Sequence, residues 1–205
     1  MNSTRSARPL LNRVAPALAV AALSLAAVSA MAQNTEKPPL ESLAQLDVRQ
    51  YMGTWYQVAL YPNRFQSQCV ADTTANYRAL PNGTVEVINR CRNAQGVMEE
   101  AVGLARPEGR LADGQLTPAQ LRVTFVPTWL RWLPMVWGRY WVVQLPADYR
   151  YVVVSEPDRE YLWVLSRTPQ LSSADDAAIR ERLKVQGFDL TRLQTHPQAA
   201  TAPAR

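Results

Sequence analysis

Between Trp55 and Arg167 the sequence repeats one pattern: about eight residues of alternating apolar and polar side chains, then Gly, Pro, Asn or Asp. The runs are WYQVALY, DTTANYRA, TVEVINRC, MEEAVGLAR, QLRVTFV, RYWVVQL, YRYVVVS and YLWVLSR. A period of two is strand geometry, because successive side chains point to opposite faces. Asn82-Gly83, after Pro81, supplies the positive φ of a tight hairpin between two of the runs. Short links of this kind join antiparallel neighbours and leave no room for crossover helices. Eight such strands close into an up-and-down barrel or pair as a sandwich.

One helix follows the strands. Ser172 or Ser173 caps it, Ala177, Ala178, Ile179, Arg182, Leu183 and Gln186 continue it, and Gly187 stops it. Ile179, Leu183 and Val185 are expected against the outside of the sheet.

The flanks read differently. Residues 1–32 have the three parts of a secretory signal: Arg5, Arg8 and Arg13, then the apolar stretch Val14 to Val28, then Ala30-Met31-Ala32 as a cleavage site. That apolar stretch is shorter than the roughly 20 residues a membrane-spanning helix needs. No cysteine near the cut offers a site for lipid attachment. Residues 33–45 form a polar lead, 46–196 the folded domain, and 197–205 a disordered Pro/Ala-rich tail.

Of 22 basic residues the first 32 positions hold three and no acid, so the mature chain balances 19 against 17 and carries about +2. That excess, with no run of lysine or arginine, argues against nucleic acid as a partner. Cys69 and Cys91 both lie in the exported part, where a pair is a disulfide more often than a metal site. The single histidine, His196, reads as a solvated tail residue, so zinc and triad chemistry lack their usual parts. No metal, cofactor or catalytic group is expected.

Gly53-Thr54-Trp55 opens the first strand after LDVRQYM, and the eighth ends in LSRTP with Arg167. That pairing resembles the lipocalin family, and YMGTWYQVALYPNRF, TVEVINR and YLWVLSRTP resemble its bacterial lipocalin and apolipoprotein D-like subgroup. The likeness runs from Leu46 to Leu193; the family's middle motif is matched in part, by Asp148-Tyr149 and Tyr151. It implies an all-β fold, an eight-stranded antiparallel up-and-down β-barrel with one C-terminal packing α-helix. In such a meander the first strand starts and the eighth ends at the same end. There Gly53, Trp55 and Arg167 form a structural plug, a guanidinium stacked on indole contributing about 0.5 to 2 kcal/mol.

The connections at Pro62 to Val70, Arg92 to Gly96, Pro127 to Trp137 and Glu156 to Glu160 then rim an open mouth. Cys69 and Cys91 fall there too, although simple register around Asn82-Gly83 does not place them opposite each other. Alternation puts Val85, Val87 and Asn89 on one face, as it does Ala75 with Tyr77, Leu121 with Val123 and Phe125, and Trp163 with Tyr161 and Leu165. The expected ligand-binding residues are Tyr77, Val87, Asn89, Val123, Phe125 and Trp163, with Gln57 as a further sparse polar group. The resemblance implies the same role for Tyr77, Asn89 and Trp163.

The expected function is an exported lipocalin, periplasmic or secreted and peripheral at the outer membrane. It binds a fatty acid, lysophospholipid or similar hydrophobe for lipid transport, storage or membrane maintenance. Burying about ten methylenes contributes roughly 8 kcal/mol before ordering costs. Two rivals are a lipocalin-fold enzyme acting on a lipid-like substrate and a purely structural envelope protein. The enzyme needs convergent carboxylates or a nucleophile with a base, whereas Glu86 points outward and Glu99-Glu100 splits across the two faces of a strand.

The stretch TWLRWLPMVWGRYW, residues 128–141, holds four of the six tryptophans. Trp141 belongs to the sixth strand. Trp129, Trp132 and Trp137 are expected on the rim, as a lid folded over the cup or as a membrane-docking loop.

Overall fold

The computed structural model describes residues 37–110, 114 and 116–199. The expected signal peptide at 1–32, positions 33–36 of the lead and positions 200–205 of the tail lie outside the described residues.

Asp47 starts the body by capping a single helical turn, α1 (Val48–Tyr51), its carboxylate accepting from the amides of Arg49 and Gln50. The chain then turns into β1 (Gly53–Leu60) through Gly53, whose φ of 91° is a conformation glycine adopts without strain. Next come β2 (Cys69–Ala79), β3 (Val85–Asn93), β4 (Met98–Pro107), β5 (Gln120–Thr124), β6 (Gly138–Gln144), β7 (Tyr151–Ser155) and β8 (Leu162–Ser166). Each pairs antiparallel with the next, and β8 and β2 both pair with β1, so the eight strands close. The helix α2 (Ser173–Val185) and a two-residue β9 (Gln194–Thr195) follow.

Two apolar clusters hold the barrel together. Inside it lie Trp55, Ala75, Tyr77, Val87, Val152 and Leu165, among others. Outside, Val58, Val143, Val153, Leu162 and Val164 meet Ile179 and Leu183 of α2. The strand β7 is therefore buried on both faces, which explains its unbroken apolar run YVVVS. The Ser172 side chain caps α2 by accepting from the Asp175 amide at 3.1 Å, with Asp175 and Asp176 in the positive first turn. Val185, expected to pack with Ile179 and Leu183, is instead 81% exposed. Two residues past Leu183, it is turned about 200° around the helix axis, onto the face away from the wall.

The seam between β1 and β2 departs from a simple meander. These strands pair only from Gly53 to Tyr56, opposite Tyr77 to Thr74. Beyond that β2 shifts register and Asp72 takes a φ of 53°. The edge so vacated is taken by β9, whose Gln194 and Thr195 pair with Leu60 and Ala59.

The chain then runs on as a strap. The His196 amide donates to the Val58 carbonyl, and the Asp72 amide to the Pro197 carbonyl, both at 2.9 Å. The His196 ring sits 2.7 Å from the Thr73 hydroxyl. The Gln198 amide reaches the carbonyls of Gln57 and Thr73 at 2.7 and 2.8 Å. His196 is thus buried, 6% exposed, and not a solvated tail residue; the docked chain continues past 196 to Ala199, whose amide donates to Asp72. At the other flank Leu40 is buried, the Leu43 amide donates to the Val142 carbonyl at 2.8 Å and Arg159 holds the Pro38 carbonyl. That part of the lead packs on the barrel.

Candidate ligand-binding cup

At one end the barrel is shut. Trp55 is fully buried, its ring nitrogen donates to the Tyr51 carbonyl at 2.9 Å, and the Arg167 guanidinium lies 3.7 Å from its ring centroid. The same guanidinium donates to the carbonyls of Thr54 and Gln50, so one side chain ties β8 to β1 and α1. A hollow of about 60 Å³ opens beside this plug, lined by Leu46, Val48, Tyr51, Tyr77, Leu121 and Val142 among others, and is too small for a lipid chain.

Above the plug the interior is a cup. Register carries Val85, Val87, Asn89 and Cys91 of β3 opposite Ala105, Gly103, Ala101 and Glu99 of β4. The β4 wall is therefore made of small residues, and Ala101 stays exposed although it shares the interior face. At Gly103 a Cβ would meet the Phe125 ring at 2.7 Å and the Thr124 carbonyl at 2.8 Å. The absence of a side chain there lets Phe125 lie across β4. Tyr77 and Val87 are buried low in the wall, whereas Asn89, Val123 and Trp163 are half-buried and Phe125 is exposed.

The cup's polar groups are few. Trp163 donates from its ring nitrogen to Gln66 at 2.7 Å, and Gln66 donates to Gln57 at 3.0 Å. Gln66 sits in a 3-10 turn, Arg64–Gln66, capped by Asn63, whose side-chain oxygen accepts from the Phe65 amide. Sequence alternation gave no sign of Gln66, because a loop residue has no strand phase. Gln57 Nε2 and Asn89 Oδ1 are buried with no partner among the described residues, a costly state until a ligand or water answers them. Tyr161 stacks on Trp163 at 5.9 Å and meets Phe65 in a tilted pair at 5.2 Å, forming an aromatic wall at the mouth.

Three tyrosines meet lower down. Tyr140 Oη is 2.6 Å from Tyr51 Oη and 2.9 Å from Tyr77 Oη. Burial pushes the Tyr77 phenol up to about 12 and those of Tyr51 and Tyr140 well above the usual value, so all three stay protonated at neutral pH.

At the rim Cys69 and Cys91 form a disulfide with Cα atoms 5.4 Å apart. Two register shifts in β2 bring Cys69 opposite Asn93, next to Cys91 on the same face, where straight hairpin register does not. Glu99 faces inward and accepts from Asn93 at 2.8 Å, while Glu100 pairs outside with Arg90 at 2.6 Å. Amides, phenols, an indole and one carboxylate around an apolar cup are equipment for holding a ligand and orienting it.

The tryptophan loop divides. Trp129 and Trp132 are 72% and 77% exposed and Met135 is 83% exposed, so none folds inward as a lid. Trp137 does not belong with them. It is buried, its ring lies 4.1 Å from the Arg106 guanidinium, and its nitrogen donates to the Arg131 carbonyl at 2.8 Å. Arg106 faces Arg122 on the outer surface of the barrel, so Trp137 clamps the loop's end to the outside wall.

Comparison with known proteins agrees with this architecture. Residues 46–198 match the lipocalin-like domain. The chain is 36% identical over 172 residues to temperature-induced lipocalin-1 of Arabidopsis thaliana, covering 82% of this chain and 88% of that one. It is 33% identical over 181 residues to outer membrane lipoprotein Blc of Escherichia coli K12, covering 85% and 93%. Insecticyanin from the tobacco hornworm Manduca sexta has the same fold, with a TM-score of 0.56 at 19% identity over 78% of this chain and 84% of that one. The chain belongs to the lipocalin family.

Proposed function

We propose that this lipocalin is an exported, periplasmic or secreted carrier that docks its open mouth on a membrane leaflet and moves a fatty acid, lysophospholipid or similar hydrophobe between bilayer and cup. The family is known for small hydrophobic ligands, and the cup's walls suit that class. What carries the membrane part is where apolar exposure falls. Phe65, Val97, Met98, Trp129, Trp132 and Met135 are all exposed, and all lie on or beside the loops that rim the mouth. Apolar patches of this kind mark contact surfaces.

Tryptophan favours the membrane-water boundary, and Arg64, Arg131 and Arg139 stand near enough in the chain to meet lipid phosphates. The Escherichia coli relative carries outer membrane in its name, which accords with a working place at a membrane surface. Storage, transport and membrane maintenance all require this exchange.

The test is flotation with anionic vesicles together with the rate of oleate transfer from vesicle to protein. Wild type co-floats and takes up oleate quickly. A Trp129→Ser, Trp132→Ser variant stays folded, floats poorly and takes up oleate slowly at unchanged final affinity. Equal flotation and equal rates in the two proteins contradict docking by this loop.

A further inference from the structure

The three tyrosines at the bottom of the cup hold more protons than they use. A phenol has one O–H to donate. Tyr51, Tyr140 and Tyr77 form a chain of two hydrogen bonds, Tyr140 in the middle. Whichever way the protons run, two bonds consume two of three, and the third O–H has no acceptor among the described residues. Tyr51 and Tyr77 are buried, whereas Tyr140 is partly accessible. Gln57 Nε2, on the same interior face as Leu165 and Trp55, is a second donor without a partner among the described residues.

The charge around this floor narrows what can answer it. The cation that acts on Tyr51, Arg167, lies against Trp55 and spends its donors on the carbonyls of Thr54 and Gln50. Its donors are turned to the plug and not to the cup, although its charge is felt at Tyr51. The pushed-up phenols report the same low-dielectric surroundings. An ionised carboxylate brought here loses its hydration for one or two neutral hydrogen bonds. A neutral carbonyl oxygen loses little and gains the unused O–H.

We propose that the Tyr51–Tyr140–Tyr77 chain is a subsite for the neutral carbonyl oxygen of a ligand, a ketone, ester or amide, which enters the cup carbonyl-first. This rests on the cup being the ligand site and deepens it. The cup distinguishes ligands by a polar atom at their leading end, while a free fatty acid keeps its carboxylate at the mouth.

The experiment uses 2-tridecanone labelled with 13C at the carbonyl, and infrared spectroscopy of the bound ketone, with laurate as the comparison ligand. In wild type the carbonyl stretch lies below its value in hexane, as a hydrogen-bonded carbonyl does. In Tyr51→Phe, Tyr77→Phe, which leaves the Tyr140 hydroxyl free to donate, the shift persists. In the triple variant that adds Tyr140→Phe, the stretch returns toward the hexane value, ketone affinity falls about tenfold and laurate affinity holds. A wild-type stretch equal to that in hexane, or one unmoved in a folded triple variant, overturns the subsite. So does binding of laurate without binding of the ketone, and that outcome leaves the cup standing as a ligand site. Failure of both ligands to bind overturns the cup reading itself and the subsite with it.

Discussion

At the closed end of the barrel Trp55 is fully buried and its neighbour Arg167 spends its charge on backbone carbonyls. At the open end Trp129 and Trp132 stand in water. The same residue type is used for opposite purposes. Below, a large ring is matched on every side, and its removal leaves a hole that the plug cannot collapse to fill. Above, the rings have little to pack on among the described residues, so they contribute little to folding and remain available to another surface. The cup lies between, with small residues on β4 and unanswered polar atoms on its walls. Such atoms weaken a structure, and proteins tolerate them at functional sites.

The largest expected effect breaks this comparison most directly. Trp55→Ala should cost about 3–5 kcal/mol in urea unfolding, as a buried aromatic does, while Trp129→Ala should stay within about 0.5 kcal/mol of wild type. Similar losses at the two sites would mean that the rim tryptophans are core after all.

The disulfide comes next. It joins Cys69 and Cys91 across a sequence separation of 22, and Cys69→Ser, Cys91→Ser should cost about 3 kcal/mol on the chain-entropy scale. Because the bridge ties β2 to β3 at the mouth, hydrogen exchange in the double variant should quicken first at residues 69–72 and 91–97. Faster exchange at the plug instead would contradict a stabilisation local to the rim.

The smallest effect concerns the strap that closes the β1–β2 seam. Burial holds the His196 pKa below its ordinary 6.5, with the Ala71 backbone and the Asp72 carboxylate opposing that shift. The unfolded chain therefore takes up the proton first. Stability is full above the unfolded value and falls as pH drops through about 6.5 toward the folded pKa. Asp72 and Asp175 are shifted in the same direction, Asp72 by the Ala199 amide and Arg92, Asp175 by Arg150 and Ser172. Their contribution is lost only in the carboxylate range, further down. Unfolding measured from pH 7.5 to 5 should show a shallow loss in wild type and a flatter profile in His196→Asn. Identical profiles would mean that the strap does not sense this proton.

The strands were legible because period-two alternation is a local signal, and a barrel wall with one face inward preserves it. The plug was legible because Gly53, Trp55 and Arg167 sit at the start of the first strand and the end of the last. What escaped depends on contacts made from outside the local pattern. His196 is polar and follows a two-residue strand, so nothing in its own segment announces a seam on β1 waiting to be covered. Gln66 reaches the cup from a loop. Trp137 was grouped with its exposed neighbours by composition, yet it precedes β6 at a point where the side chain turns outward onto Arg106. The bridge between Cys69 and Cys91 was legible from their shared place at the mouth, but the bulges in β2 that let it form carry no turn signal.

The claim that the two ends differ in purpose is tested most directly by emission quenching with vesicles of brominated phospholipid. Trp129 and Trp132 should enter the leaflet while Trp55 and Trp163 stay within the protein. Added brominated vesicles should therefore quench part of the wild-type emission, and Trp129→Ser, Trp132→Ser should remove that quenching while leaving the remaining spectrum intact. Emission in wild type that brominated lipid leaves untouched, or quenching that survives loss of both tryptophans, would contradict the account.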